Sequence, residues 1–135
     1  MTAPRPLPTP DDDSAPFWAA CGKGYLAAQK CPECARFRWP PMEFCPFCHH
    51  HGGDWTPLPG TGVVEGFVVV HRAFDASFKD RIPYAIAHIA LDGAEGVTLI
   101  GNVLADPVDS VSVGQRVAVE FEDTEPVSIF RFRPT

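Results

Sequence analysis

The stretch CPECARFRWPPMEFCPFC, residues 31–48, holds two Cys-Pro-Xaa-Cys pairs with ten residues between them. Two thiolates separated by two residues can lie on one tight turn, and two such turns facing each other make a tetrahedral cage of four sulfur atoms. Because the spacing occurs twice, four unrelated cysteines are a much weaker interpretation. The stretch therefore predicts a metal site whose ligands are Cys31, Cys34, Cys45 and Cys48.

The metal in this site is expected to be structural. Zn²⁺ fits a four-sulfur cage best, although such a cage also accepts iron. His49, His50 and His51 offer a mixed Cys/His site as a weaker alternative, because four thiolates already fill the shell. A filled shell leaves no position for a catalytic water molecule.

The two turns deviate from the usual pattern at one position each. Pro32 and Pro46 follow the first cysteine of each pair, where their fixed φ helps to set the turn. Such turns often place a glycine after the second cysteine, where φ can be positive, but Ala35 and His49 occupy these positions. This difference concerns the turn geometry and leaves the ligands unchanged.

The composition indicates a small, acidic, globular protein. Of 135 residues 45% are apolar and 21% charged, and 17 acids against 11 bases give a net charge of −6. Nucleic-acid binding is disfavoured, because it depends on Lys and Arg neutralising phosphates. No apolar run reaches the roughly 18 residues of a membrane span, and the N-terminus lacks a secretion pattern. A soluble, cytoplasmic protein without disulfides or a membrane partner is expected.

The chain divides into four segments by pattern. Residues 1–13, rich in Pro and Asp, predict a disordered tail, and residues 14–30 predict a short helix followed by an extended segment. Residues 31–55 are predicted to form a zinc ribbon, in which metal ligation supplies on the order of 10 kcal/mol that so small a core cannot. Residues 56–135 predict a β domain.

This β domain is predicted to be a five-stranded OB-fold barrel, with a small sandwich as the alternative. The first strand is expected to be buried on both faces and to bend or bulge at Gly66. The predicted strands span residues 63–71, 84–91, 97–104, 116–122 and 127–132. The fold class is thus mainly β: a short N-terminal helix, a rubredoxin-like zinc ribbon and the barrel.

Two stretches of the barrel carry candidate binding residues. The long loop 72–83 contains Phe74, Phe78, Lys79 and Arg81, which suit a protein partner or a phosphate-bearing ligand. A flexible first loop of an OB fold explains it equally well. The C-terminal FRFR run predicts a strand with aromatic side chains inward and arginines outward, and an outward Arg131 can meet a carboxylate or phosphate.

The sequence contains no recognisable catalytic motif. It has no nucleophile elbow, Walker loop or GxGxxG, and His71 and His88 lack a matched acid or nucleophile. Cys21 stands outside the paired cysteines with no base beside it, so it is interpreted as a small buried residue.

The order of these elements resembles the zinc-ribbon OB-fold family of acyl-CoA-associated proteins. A helix containing Phe-Trp, the paired cysteines and a barrel ending in FRPT carry the resemblance, which covers nearly the whole chain after the tail. By position the four cysteines match the metal ligands of the family. Arg38 and Trp39 fall in its aromatic-Pro-Pro segment, while Met42 stands where an arginine is common.

The resemblance implies a noncatalytic accessory subunit of a thiolase-superfamily enzyme in lipid or aromatic degradation. The larger partner would form or cleave a carbon–carbon bond in a β-keto- or β-hydroxyacyl-CoA, in a hetero-oligomer. This chain would stabilise that partner and help to shape its CoA entrance, with acyl-CoA at the interface. A single-stranded nucleic-acid-binding module is the alternative, because zinc ribbons and OB barrels also occur there.

Overall fold

The computed structural model describes residues 5–135, so the first four residues of the predicted tail lie outside the described part of the chain. Within residues 5–135 the chain forms one α-helix, a three-stranded ribbon sheet and a closed five-stranded barrel. Residues 5–10 have no regular secondary structure, but the Arg5 Nη2 lies 2.7 Å from a carboxylate oxygen of Glu122 in the barrel.

Helix α1 spans Ala15–Gly22 and ends in a hydrogen-bonded turn, where the N–H of Lys23 donates to the helix carbonyls of Ala20 and Cys21. Ser14 holds the N-cap position but its side chain makes no hydrogen bond to the helix; its N–H donates to the carboxylate of Asp11 at 2.7 Å and its hydroxyl accepts the N–H of Asp11 at 3.1 Å. At the other end Gly24 has a φ of 90°, and its N–H donates to the carbonyl of Cys21 at 3.0 Å. This left-handed glycine turns the chain out of the helix and into the ribbon.

The ribbon sheet positions both cysteine turns. Strands β1 (Ala27–Lys30), β2 (Phe37–Arg38) and β3 (Asp54–Pro57) form an antiparallel sheet in the order β2-β1-β3. The first cysteine turn joins β1 to β2, and the second lies between β2 and β3. Gln29 in the central strand pairs with Arg38 on one side and with Trp55 on the other.

The barrel confirms the predicted OB fold and rules out the sandwich. Its closed order is β4-β5-β6-β8-β7, and the ring includes a parallel bridge between β6 and β8, from Val103 to Phe132. The connection between β6 and β7 contains only a short 3-10 turn, Val108–Ser110. The five strands are β4 (Thr61–Val70), β5 (Tyr84–Leu91), β6 (Thr98–Val103), β7 (Arg116–Glu122) and β8 (Ile129–Pro134).

Strand β4 bends as predicted, but the expectation that both of its faces are buried is wrong. Its register with β5 shifts between Val64 and Gly66, and only its first residues, up to Val63, pair with β7. Val64 is fully buried, whereas Val68 is 59% exposed. Burial alternates only before the bulge; beyond it the adjacent residues Phe67 and Val68, which point to opposite faces, are both exposed.

One hydrophobic core joins the helix, the ribbon and the barrel. Phe17 of α1 and Leu26 before β1 belong to the same buried cluster as the barrel residues Val64 and Ile89. Phe132 is fully buried and Arg133 is exposed, as predicted for the last strand, whereas Phe130 and Arg131 are both half-buried. The ribbon is therefore fixed on the barrel by apolar packing.

Candidate metal centre and surface sites

The four predicted cysteines form one cluster with the dimensions of a tetrahedral metal site. Their sulfur atoms all lie within 4.8 Å of one another, with 3.6 Å between Cys31 and Cys48 and 3.7 Å between Cys34 and Cys45. A tetrahedron with Zn–S bonds of about 2.3 Å has an S···S edge of about 3.8 Å, whereas a disulfide bond is about 2.05 Å. The cluster therefore fits a zinc ion, and all four thiols are free.

The two cysteine turns have the same backbone geometry. The N–H of Ala35 donates to the carbonyl of Cys31, and the N–H of His49 donates to the carbonyl of Cys45, both at 2.9 Å. Ala35 has a φ of 62° and His49 a φ of 66°. Both side chains therefore occupy the left-handed region usually given to glycine, at a cost of roughly 1 kcal/mol each.

The electrostatics of the cluster favour a divalent cation. Burial raises the pKa of Cys45, but the N–H groups of Cys48 and Phe47 donate to its sulfur and lower that pKa to about 6. At Cys48 the N–H of His50 favours the thiolate, yet desolvation and the other three sulfur atoms raise the pKa to about 12. Four thiolates repel one another, and a bound Zn²⁺ offsets this repulsion.

The neighbouring histidines do not belong to the cluster. Among residues 5–135, these four cysteines form the only group of three or more His, Cys, Asp or Glu side chains arranged to hold a metal ion. The Nε2 atom of His51 instead lies 3.0 Å from a carboxylate oxygen of Glu43 at the surface. The four-sulfur shell is complete without a histidine, which fits a structural zinc site.

Arg38, a candidate for ligand or partner contact, lies inside the ribbon. It is 2% exposed, and its Nε donates to the side-chain oxygen of Gln29 at 3.2 Å. Its Nη2 donates to the carbonyl of Met42 at 2.9 Å, and its Nη1 has no hydrogen-bond partner among the described residues. This geometry holds the loop between the cysteine turns against β1.

Trp39, the next candidate, lies at the surface in an apolar groove of about 490 Å³ between α1, the ribbon and the barrel. The centres of the Trp39 and Phe17 rings are 4.9 Å apart, and the rings meet edge to face. The groove continues onto the outer face of the sheet, where Ile100 is 56% exposed. We call this surface the apolar face; it comprises Trp18, Trp39, Phe130, Ile100, Ile86 and Val68.

The register of the strands makes the apolar face continuous. His88 pairs with Gly66 and Ile100, and Ile86 pairs with Val68 on the neighbouring strand. Diagonal neighbours on one face of a sheet are about 7–8 Å apart, so Ile86 and Ile100 lie side by side. Antiparallel sheets usually present polar side chains on the face away from the core. Here Val68, Ile86 and Ile100 are aliphatic, and His88 and Thr98 are the polar side chains that share the face with them.

Three of the predicted binding residues, Phe78, Arg81 and Arg131, line one cavity of about 140 Å³ at the end of the barrel. We call it the arginine cavity. Phe74 and Lys79 lie outside it; Phe74 is 84% exposed, with the guanidinium of Arg72 5.2 Å from its ring centre. Sequence reasoning missed the other lining residues, because barrel closure brings them together; those with polar or aromatic side chains are Arg5, Tyr84, Asn102 and Glu122.

The remaining reactive side chains have no catalytic arrangement. Cys21 is 1% exposed, and burial raises the pKa of its thiol to about 12, so it is a packed core residue. His71 and His88 are exposed, and neither has a hydrogen-bond partner within residues 5–135. None of the helices in that range is long and apolar enough to cross a bilayer.

Two family models match this chain, one over the zinc ribbon and one over the barrel. Residues 18–52 match the rubredoxin-like zinc ribbon domain of ChsH2, and residues 55–122 match the C-terminal OB-fold domain of ChsH2. The ribbon, its four cysteines and the barrel thus define a zinc-ribbon OB-fold protein. The chain belongs to the ChsH2 family.

Solved structures support the same assignment. The chain is similar to a chain of the Ltp2-ChsH2(DUF35) aldolase, with a TM-score of 0.84 and 29% identity, covering 95% of this chain and 98% of that one. A DUF35-family protein of Sulfolobus solfataricus has a TM-score of 0.67 at 17% identity, covering 92% of this chain and 86% of that one, and supports the fold alone.

Two curated relatives extend the comparison. A probable enoyl-CoA hydratase alpha subunit of Thermomonospora curvata is 30% identical over 131 residues, 96% of this chain and 40% of that protein. A DUF35 domain-containing scaffold protein of Methanothermobacter thermautotrophicus is 28% identical over 117 residues, 81% of this chain and 86% of that protein. The chain thus spans less than half of the first relative and most of the second.

Proposed function

We propose that this chain is a noncatalytic accessory subunit of a thiolase-superfamily enzyme, a thiolase or retro-aldolase, that acts on a β-keto- or β-hydroxyacyl-CoA. The observation that carries the proposal is the likeness to a chain of the Ltp2-ChsH2(DUF35) aldolase, which this chain covers almost completely. The scaffold name of the Methanothermobacter thermautotrophicus relative supports the same role.

The chemistry of the described residues supports a subunit that does not catalyse. The four-sulfur cluster fits a closed zinc shell, and a zinc ion with four protein ligands activates no water molecule. Cys21 is buried with a raised pKa, so it is a poor nucleophile. The cysteine and histidine groups for carbon–carbon bond chemistry would come from the larger partner.

The apolar face is the proposed contact with this partner. It presents tryptophan side chains in a groove beside exposed aliphatic residues, the composition of an interface centre rather than of an ordinary surface. Exposed apolar surface of this kind marks interaction sites on soluble proteins. The zinc would act indirectly, because it holds the ribbon that supplies Trp39 to this face.

A tagged version of the chain, purified under native conditions from its own host, tests the proposal. We expect a thiolase-like chain to co-purify in a fixed ratio, which native mass spectrometry measures. Repeated recovery of the chain by itself would contradict the proposal. The nucleic-acid alternative is not favoured, because the chain carries a net charge of −6 and its relatives are a scaffold, a hydratase subunit and an aldolase.

A further inference from the structure

The arginine cavity lies where OB folds commonly bind ligands. Its lining comes from the first barrel loop, with Phe78 and Arg81, from β5 and β6, with Tyr84 and Asn102, and from the last strand. OB barrels bind ligands on the face of their second and third strands and between the loops that flank it. The position of the cavity therefore indicates a binding site.

The cavity concentrates positive charge in an acidic protein. Three guanidinium groups line it, those of Arg5, Arg81 and Arg131, against the one carboxylate of Glu122. This leaves a surplus of two positive charges, although the whole chain has a net charge of −6. Glu120, which also pairs with Arg131, does not change this surplus, because it is balanced by Arg133 outside the cavity. Arg81 makes no ion pair with any described residue. A surplus of this kind favours an anionic ligand.

The ion pairs already present leave donors for a ligand. Arg131 uses Nε for Glu120 at 2.9 Å and Nη1 for Glu122 at 3.3 Å, and Arg5 uses Nη2 for Glu122 at 2.7 Å. A guanidinium carries five N–H groups, so each of these arginines retains unused donors. The two carboxylates hold Arg131 in place, as a preformed site requires.

The cavity is large enough to hold one chemical group of a ligand, but not a whole drug-sized ligand. Sites that enclose a whole drug-sized molecule measure about 300–1,000 Å³, whereas this cavity measures about 140 Å³. The rings of Phe78 and Tyr84, with centres 5.7 Å apart, form part of its wall. Such apolar walls reduce the local dielectric and strengthen the attraction between the arginines and an anion.

We propose that the arginine cavity binds the phosphate group of a phosphomonoester ligand. A phosphomonoester carries about −1.5 to −2 charges at pH 7, which matches the surplus of two positive charges, whereas a carboxylate carries one. Guanidinium groups also bind phosphate oxygens in pairs of parallel hydrogen bonds. The site belongs to this chain alone, so it is independent of the accessory role proposed above.

NMR titration of the full zinc-loaded chain tests this site, with methyl phosphate, inorganic phosphate and acetate added at constant ionic strength. We expect saturable shifts centred on Arg81, Arg131 and Asn102, with methyl phosphate binding about tenfold more tightly than acetate. Equal affinity for acetate would overturn the phosphate assignment. Tighter binding of inorganic phosphate would point to the free ion and overturn the phosphomonoester assignment.

The variant Arg81→Ala should weaken methyl phosphate binding at least about fivefold. Arg81 is exposed and makes no ion pair with the described residues, so its loss should leave the spectrum outside the cavity unchanged. Arg72→Ala removes the same charge from the same loop outside the cavity and should have no effect. Equal loss in both variants, or unsaturable shifts at every exposed arginine, would show nonspecific charge attraction and refute the site. If methyl phosphate does not bind, this site is refuted, but the accessory-subunit proposal is not, because co-purification of the partner tests that proposal separately.

Discussion

Ala35 and His49 occupy equivalent positions in the two cysteine turns, each one residue after the second cysteine and each with a φ between 60° and 70°, at 62° and 66°. Neither residue is a glycine, although the left-handed conformation favours one. The ribbon therefore adopts this turn twice against the local preference of its sequence. Ligation by four sulfur atoms, together with the shared backbone hydrogen bonds, explains why the turn persists.

Replacing Ala35 by glycine should relieve the strain in the first turn. We expect Ala35→Gly to raise the free energy of unfolding by up to about 1 kcal/mol, because the strain removed exceeds the added entropy of the unfolded chain. Ala19→Gly, in the exposed part of α1, is the matched control and should lower it by about 1 kcal/mol. Denaturant unfolding measures both; a destabilised Ala35→Gly would contradict the strain argument.

Removing one metal ligand should release the ion and disorder the ribbon. We expect the purified chain to contain one zinc ion, and Cys45→Ser to lose most of it, because a hydroxyl replaces a thiolate. The barrel signal in circular dichroism should be partly retained, while assembly with the partner is lost. Cys21→Ala, which removes a cysteine outside the cluster, should keep full zinc content by elemental analysis. Unchanged zinc content and unchanged assembly with the partner in Cys45→Ser would contradict the structural role of the metal.

The apolar face should be sensitive to charge. We expect Ile100→Asp to weaken binding of the thiolase-like partner by about 2 kcal/mol or more, roughly thirtyfold, because it places a carboxylate in a desolvated contact. Val113→Asp changes a valine of comparable exposure, 66% against 56% for Ile100, in the loop before β7 and should bind normally. Calorimetric titration distinguishes them, with melting temperatures as the check on folding. Normal binding by Ile100→Asp would mean that the partner docks elsewhere.

The ion pair between Asp92 and Arg116 should make stability depend on pH. Hydrogen bonds from Arg116 and from the Thr61 hydroxyl lower the pKa of Asp92 to about 2 from an ordinary value of 3.8. A depressed folded-state pKa stabilises the fold above the unfolded value, and this contribution fades as the pH falls from about 4 towards 2.

Asp92→Asn should therefore be less stable than the unmodified chain at pH 7, and the difference should shrink between pH 4 and pH 2. Denaturant unfolding across this range measures it. Asp109→Asn removes one charge at an exposed position without an ion pair in the described part of the chain, and it should show little change at any of these pH values. If the difference in the free energy of unfolding between Asp92→Asn and the unmodified chain grows as the pH falls, the pKa of Asp92 is not lowered by folding and the prediction is wrong.

Local patterns predicted the metal ligands and the barrel strands. The spacing of Cys31, Cys34, Cys45 and Cys48 restricts them to two facing turns, and alternation along the last strand placed Phe132 inward and Arg133 outward. These features depend on periods of a few residues, which a single sequence displays.

Features that depend on distant contacts were not predictable in the same way. The second half of β4 is exposed because none of the described elements packs over it, which the sequence of β4 does not show. Arg38 was a candidate binding residue by its place in the aromatic-Pro-Pro segment, but in the ribbon, where it pairs with Gln29, it is 2% exposed. Arg5 and Tyr84 reach the arginine cavity only after the barrel closes.

Thioester turnover tests the central claim most directly. The zinc-loaded chain, the thiolase-like partner and their complex are assayed separately with the same β-keto- or β-hydroxyacyl-CoA. We expect no turnover by this chain alone, and greater activity or longer active life of the partner in the complex. Turnover by the isolated chain, or a partner indifferent to its presence, would contradict the account.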